Sequence, residues 1–375
     1  MKQRTIAVVT TSRADYSHLY WVLRDLDAHP EIDLKLIALG ASLAEEFGCA
    51  VEEITADELQ VHEHIECLLS SDTDVGMAKT IGVATLGLAE VLGRMRPDLL
   101  LLIADRYELL APAAVALSLR IPIAHIEGGE VSEGAIDDAV RNAITKMSHV
   151  HFTPTERARQ RVLALGEESW RVHRVGAPSL DHLVRRSLLD QQALERELGA
   201  PVEAGTVLIA YHPVTLALDT LREADAVFEA LGQLERPIAF CFPNSDAGSR
   251  RLIRRAEEFC ASRPTARLFV NLNPLAYWSL LSRVAVMIGN SSSGIMETAS
   301  LELPTVNIGI RQQGRERACN ILDVEADPRQ IVMAIERALQ PEFRESLRGM
   351  ENPYGDGHAA KRITDCLLYT SPSPR

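Results

Sequence analysis

Apolar and polar positions are grouped in repeating blocks along this chain. Short apolar runs, of the length and type expected for buried parallel strands, are each followed by a polar turn and then a stretch of helical spacing. In the first half these runs fall at residues 5–10, 33–39, 99–103, 121–126, 149–152 and 171–175. Helices are predicted at about 17–28, 42–54, 75–92, 109–119 and 137–147, with another opening at Thr153-Pro154. Such alternation predicts a doubly wound parallel sheet. Gly176-Ala177-Pro178 then punctuates the chain, and a helix over 181–198 runs into Gly199-Ala200-Pro201. The pattern restarts with strands near 206–211, 237–242, 266–270, 284–288 and 304–308 and a helix over 328–339. The expectation is an α/β chain of two Rossmann-like domains, 1–178 and 179–345, facing a cleft. A helix near 359–367, within 346–367, is expected to pack back on the first domain. Residues 368–375, containing SPSPR, read as a disordered tail.

The chemistry-bearing residues cluster where the apolar runs end, which in an open α/β sheet is where ligands bind. The run at 99–103 leads into Asp105, Arg106 and Glu108. The run at 121–126 leads into His125, Glu127, Gly128, Gly129 and Glu130, then Asp137, Asp138 and Arg141. Carboxylates with a cation at the ends of two neighbouring strands suggest an acid/base site, with Arg106 and His125 expected to bind substrate; a single carboxylate also has the lesser reading of a loop residue or a helix cap. After the first run, Arg13 and Ser17 stand at the mouth of the first helix, where backbone N–H groups attract phosphate.

The second half has strand ends of its own. His212 opens HPVT; Asn244 and Asp246 lie in PNSDAGS; Ser291 and Ser292 lie in GNSSSG, which opens a helix at 295–301. A Ser/Gly-rich turn at a helix N-terminus presents donors to phosphate. Glu297 is placed to accept from ribose hydroxyls or to favour the helix dipole. Arg311, Arg315 and Arg317 crowd into RQQGRER, either a solvated basic loop or, opposite a phosphate turn, charge compensation for a diphosphate.

Composition narrows the classes. A chain of 375 residues fits two domains, and 46% hydrophobic with 24% charged residues is ordinary for a globular protein. The net charge of −13 argues against a nucleic-acid partner. The N-terminus enters a strand with no signal-peptide pattern, and no apolar run approaches the ~18 residues of a membrane span, so a cytoplasmic protein is expected. Cysteines 49, 67, 241, 260, 319 and 366 show no C-x-x-C spacing and read as reduced thiols. His62-Glu63-His64 lacks the spacing of a zinc motif and reads as surface, and no metal site is expected. Neither G-x-G-x-x-G nor a P-loop occurs, so no dinucleotide fingerprint is present.

Taken together, TSRADYSHL (11–19), ADRYE (104–108), HIEGGEVSEGAIDDAVRNAITK (125–146), HPVT (212–215), PNSDAGS (243–249), GNSSSG (289–294) and NIGIRQQGRER (307–317) resemble the hydrolysing UDP-N-acetylglucosamine 2-epimerases of the sialic-acid-type branch. The motifs appear in that family's order over about residues 5 to 365. The resemblance implies a GT-B-like pair of Rossmann domains, a UDP-sugar substrate, no cofactor, and release of UDP with N-acetylmannosamine; the protein is expected to be a homo-oligomer, a dimer or tetramer. Two departures stand out. Ala104 replaces the family's usual Gly, and some members carry His where this chain has Glu127.

The family's chemistry can be set against the residues. Inverting C2 requires loss of a weakly acidic proton, which departure of UDP from C1 makes possible by elimination to a glycal; water then adds back. A base, a second acid/base group and a cationic clamp are the minimum parts. Asp105, Glu127 and Asp137, with Arg141, supply the first two. Arg13, His212, Arg311 and the Ser291–Ser292 turn supply the third. A glycosyltransferase would need no such carboxylate trio, and a catalytically silent sugar-nucleotide sensor would have lost it. Close relatives act on UDP-2,4-diacetamido-2,4,6-trideoxyglucose, and residues 68–73 with the helix that follows look like that branch.

Overall fold

The computed structural model describes residues 3–45, 49–69, 73–131, 136–212, 222–242, 249–270 and 272–369. Two compact units emerge. The first comprises Met1–Glu130, Ile136–Asp181 and Gly355–Arg375; the second, Val131–Ala135 and His182–Tyr354.

The first unit is built on a seven-stranded, wholly parallel sheet. Its strands are β1 (Arg4–Thr10), β2 (Ile32–Leu39), β3 (Val61–Ile65), β4 (Leu99–Ile103), β5 (Ile123–Ile126), β6 (Val150–Thr153) and β7 (Val172–Arg174), in the order β3-β2-β1-β4-β5-β6-β7. The central strand LLLLI is buried at every residue, as a strand covered by helices on both faces requires. On one face Tyr16, Leu19 and Leu23 of the Arg13–Asp27 helix pack on Ile6, Val8 and Leu101. On the other, Ala84, Leu88, Val91 and Leu92 of the Asp74–Met95 helix pack on Ala7, Val9 and Leu100. That helix is long and apolar enough to cross a membrane by length and composition, but these four residues make it a core element.

The Ala359–Tyr369 helix belongs to the first unit too. Ala360, Ile363 and Leu367 join the core around Tyr16 and Leu19. Asp181, fully buried, caps its N-terminus from a distance by accepting from the Ala359 and Ala360 N–H groups at 2.8 and 3.0 Å.

The second unit repeats the plan with six parallel strands: β8 (Val207–Ala210), β9 (Ile238–Phe242), β10 (Ala266–Val270), β11 (Val286–Gly289), β12 (Thr305–Ile308) and β13 (Ile321–Val324), in the order β10-β9-β8-β11-β12-β13. In both sheets the strand order reverses beside the first strand, at β1/β4 and at β8/β11. A crevice forms at such a switch point, beyond the carboxyl ends of the two strands.

Several predicted boundaries change. The first helix begins at Arg13 rather than near Ser17, because Ser12 caps it by accepting from the Asp15 N–H. Residues 42–54 are not one helix but a short 3-10 segment, Gly40–Leu43, followed by Ala50–Ala56. The helix expected over 181–198 is two, because Asp190 caps a fresh start by accepting from Ala193 N–H at 2.8 Å. The stretch at 295–301 is a four-residue helix, Ser293–Met296, and then a 3-10 turn. His62-Glu63-His64, read as surface, lies in the partly exposed edge strand β3. All six cysteines are unbridged. Residues 370–375 lie outside the described residues.

Candidate active site

At the switch point of the first unit, β4 ends in a sharp turn. Ala104 takes a left-handed conformation, φ 62°, which costs a side-chain-bearing residue about 1–2 kcal/mol and which glycine adopts freely. The turn presents Asp105, 19% exposed, to Arg141 of the Asp137–Met147 helix; the guanidinium, 2% exposed, donates to Asp105 Oδ2. Asp137 starts that same helix and is half-buried.

Next to it, β5 leads into Glu127, also left-handed at φ 64°, its N–H held by the Phe152 carbonyl at 2.8 Å. Two strained, non-glycine residues at neighbouring strand ends mark positions that the surroundings over-determine. The Glu127 carboxylate lies 3.1 Å from His18 Nδ1, on the Arg13–Asp27 helix. His18 escaped the sequence reading because it sits inside a helix rather than at a strand end.

His125, expected to bind substrate, instead supports the turn from inside. It is fully buried, with Nε2 2.8 Å from the Ala104 carbonyl and Nδ1 3.1 Å from Thr145 Oγ1. Burial drives its pKa down to about 4, against the raising effects of the Ala104 bond and Glu127. The ring is therefore neutral near pH 7: Nε2–H donates to the carbonyl and Nδ1 accepts from Thr145. The folded pKa lies below the unfolded value of about 6.5, so its contribution to stability is complete above that pH. It falls by up to ~1.4 kcal/mol per pH unit as pH drops toward the folded value. Thermal unfolding at pH 7.5 and 5 should show His125→Gln losing less stability on acidification than the parent; an equal loss would show that the imidazole does not titrate in this way.

Three other predicted binders are already engaged or shifted. Arg13 Nη2 pairs with Glu53 at 3.1 Å, Arg106 Nη2 pairs with fully buried Glu108 at 2.8 Å, and Ser17 lies within the helix rather than at its mouth.

In the second unit the equivalent switch point brings together the ends of β8 and β11. Gly289, the last residue of β11, pairs in register with Ala210. After it comes Asn290, fully buried, whose side chain bonds both main-chain groups of His212. Oδ1 accepts from the His212 N–H at 2.7 Å, and Nδ2 donates to the His212 carbonyl at 2.8 Å. The carbonyl of Asn290 accepts from Arg311 Nη1 at 2.9 Å and from Gln312 Nε2 at 2.8 Å. Asn290 and Gln312 were not singled out from the sequence, since nothing in a one-dimensional pattern distinguishes an inward-facing amide from a turn residue.

Ser291 and Ser292 are half-buried, and the Ser293 hydroxyl accepts from the Tyr277 phenol at 2.9 Å. Burial, then Glu297, push the Tyr277 pKa well up, so the phenol stays protonated. Glu297 is 6% exposed, at the junction of the short helix and the 3-10 turn. A four-residue helix has little macrodipole, so a cation must carry most of any anion binding here. Of the arginines in RQQGRER, Arg317 pairs with Asp323 at 3.0 Å and also donates to the Gln312 carbonyl, Arg315 donates to the Val131 carbonyl at 3.3 Å and approaches Met296 Sδ at 3.5 Å, and Arg311 donates to the Asn290 carbonyl beside the turn. Asn244, Asp246 and residues 70–72 lie outside the described residues.

Comparison with known proteins places the whole chain in a family. A family model described as UDP-N-acetylglucosamine 2-epimerase matches residues 24–368. A UDP-N,N'-diacetylbacillosamine 2-epimerase (hydrolyzing) of Legionella pneumophila is 37% identical over 371 residues, 98% of this chain and 96% of that protein. A GDP/UDP-N,N'-diacetylbacillosamine 2-epimerase (hydrolyzing) of Campylobacter jejuni is 34% identical, over 92% of this chain and 90% of that protein. Among solved structures, the UDP-GlcNAc 2-epimerase of Neisseria meningitidis bound to UDP-GlcNAc superposes with a TM-score of 0.84 at 20% identity, covering 98% of this chain and all of that one. That likeness establishes the fold, two Rossmann-like units of GT-B type. From the family match over nearly the whole length and the 37% identity, the chain belongs to the UDP-N-acetylglucosamine 2-epimerase family.

Proposed function

We propose that the protein is a hydrolysing 2-epimerase acting on UDP-2,4-diacetamido-2,4,6-trideoxyglucose, the UDP-N,N'-diacetylbacillosamine of the relatives' names. The observation that carries this substrate is the 37% identity with the Legionella pneumophila enzyme over 98% of this chain. Relatives named for UDP-N-acetylglucosamine, such as that of Neisseria meningitidis at 29% identity, support a second reading in which UDP-N-acetylglucosamine yields N-acetylmannosamine.

In the first unit, one of Asp105, Glu127 and Asp137 takes the C2 proton as the C1–oxygen bond breaks and UDP leaves. Water then delivers its oxygen to C1, and a proton returns to C2 on the opposite face, giving the free 2-epimer. Arg141 orients Asp105, and His18 orients Glu127. In the second unit Arg311, His212 and the Ser291–Ser292 turn hold the diphosphate, and Glu297 the ribose. No hydride is transferred in this sequence, so no redox cofactor is called for.

Incubation with each UDP-sugar separately, in deuterated water and without added NAD or metal, tests the reading. The expected result is UDP release, faster with the diacetamido sugar, and a product carrying deuterium at C2. Full protium at C2 would rule out the elimination. Faster turnover of UDP-N-acetylglucosamine would favour the second substrate.

A further inference from the structure

We propose that Asn290 and Gln312 are the positioning residues of the anion site in the second unit, and that Gln312 is what allows Arg311 to turn from the protein to a bound diphosphate. This rests on the reading that Arg311 and His212 hold the diphosphate of a UDP-sugar.

The geometry separates two tasks on one buried residue. The Asn290 side chain forms a cyclic pair with His212, accepting from its N–H and donating to its carbonyl. Among side chains of this length only asparagine offers both: aspartate has no donor for the carbonyl, and serine cannot span both groups. The loop after β8 is thereby tied to the turn after β11 at the residue meant to face the leaving group. The Asn290 main-chain carbonyl performs the second task. It is buried and uses both lone pairs, one for Arg311 Nη1 and one for Gln312 Nε2.

The guanidinium has five N–H donors, and N–H groups other than the one on the carbonyl can also meet an anion; turning its Nη1 face to a diphosphate gives up the carbonyl bond, and a buried acceptor left unpaired opposes that move. Gln312 removes the opposition. It is 2% exposed and immediately follows Arg311, so when Arg311 Nη1 leaves, the carbonyl keeps a donor. Arg311 is thus held in place before binding and released without orphaning its partner. Arg317, paired with Asp323, donates to the Gln312 carbonyl at 2.7 Å and fixes the loop that carries both residues.

Calorimetric titration of the full chain with UDP tests this in a double-mutant cycle. Gln312→Leu keeps the volume and removes the donor; it should weaken UDP by roughly tenfold, the usual penalty for a buried acceptor left unpaired. In an Arg311→Ala background the same substitution should change affinity by less than about twofold, since no guanidinium remains to be released. Asn290→Ala should weaken UDP by at least as much as Gln312→Leu, and Asn290→Asp by an intermediate amount. Thermal unfolding of each variant reports whether the fold survives, and Gln312→Leu serves if Asn290→Ala does not fold. A Gln312→Leu effect of equal size in both backgrounds would mean simple loop damage and would overturn the inference while leaving the site assignment intact. UDP affinity unchanged by Arg311→Ala would overturn the assignment, and the inference with it.

Discussion

Asp105→Asn is expected to lower turnover by roughly 10²–10⁴-fold, the usual share of a positioned acid or base, with UDP affinity unchanged. The substitution preserves shape and removes the charge facing Arg141, itself 2% exposed. The carboxamide can neither take a proton from C2 nor balance the guanidinium, so both the proton transfer and the orientation of the group fail together. Asp137→Asn should fall in the same range, since Asp137 opens the helix that carries Arg141. UDP should bind both variants like the parent, because the diphosphate is assigned to residues of the second unit. Steady-state UDP release alongside calorimetric UDP titration separates the two quantities. Near-parental turnover in both variants would remove the first-unit carboxylates from the mechanism.

Gly289→Ala is expected to cost at least ~3 kcal/mol of stability, among the larger effects of a single substitution. Gly289 has φ 140°, a region nearly closed to residues with a Cβ, and an added Cβ would run into the Ala210 carbonyl of the paired strand. Neither strand can retreat, since β8 and β11 are the central pair of the sheet and buried throughout. For a unit of this size each kcal/mol lowers the melting temperature by about 2–4 °C. Asn290 follows directly, so UDP affinity should fall with stability. Gly82→Ala is the control: it lies mid-helix with open space around its Cβ position and should stabilise by up to ~1 kcal/mol. A Gly289→Ala protein melting with the parent would mean that the β8–β11 pair accommodates a Cβ at this position.

Much of this architecture is legible in one dimension because both sheets are parallel and buried. Runs such as LLLLI carry their own signal, and the polar residues after them mark the strand ends where the crevices form. Edge strands β3 and β13 are not legible in that way. VHEHI and ILDV each present a half-exposed, mixed surface, and only pairing with β2 and β12 makes them strands. Helix ends at Ser12 and Asp190 depend on a single side-chain oxygen reaching a particular N–H, which spacing suggests but does not decide.

The sequence by itself determined the two-sheet plan, the strand ends that matter, and the residue types gathered there: Asp105, Glu127, Asp137 and Arg141 in one unit, His212, Ser291 and Arg311 in the other. Only the tertiary structure decided what each side chain faces. His125 and Glu127 stand two apart at the end of one strand, yet one is sealed behind the Ala104 turn while the other meets His18 from a helix more than a hundred residues earlier in the chain. Asn290 reads as one more polar residue of a Ser/Gly turn until β8 and β11 pair and bring His212 alongside it. The periodicity of a sequence records burial, because burial repeats with the secondary structure. Hydrogen-bond partnership between distant segments does not repeat, and it exists only once the sheets have formed.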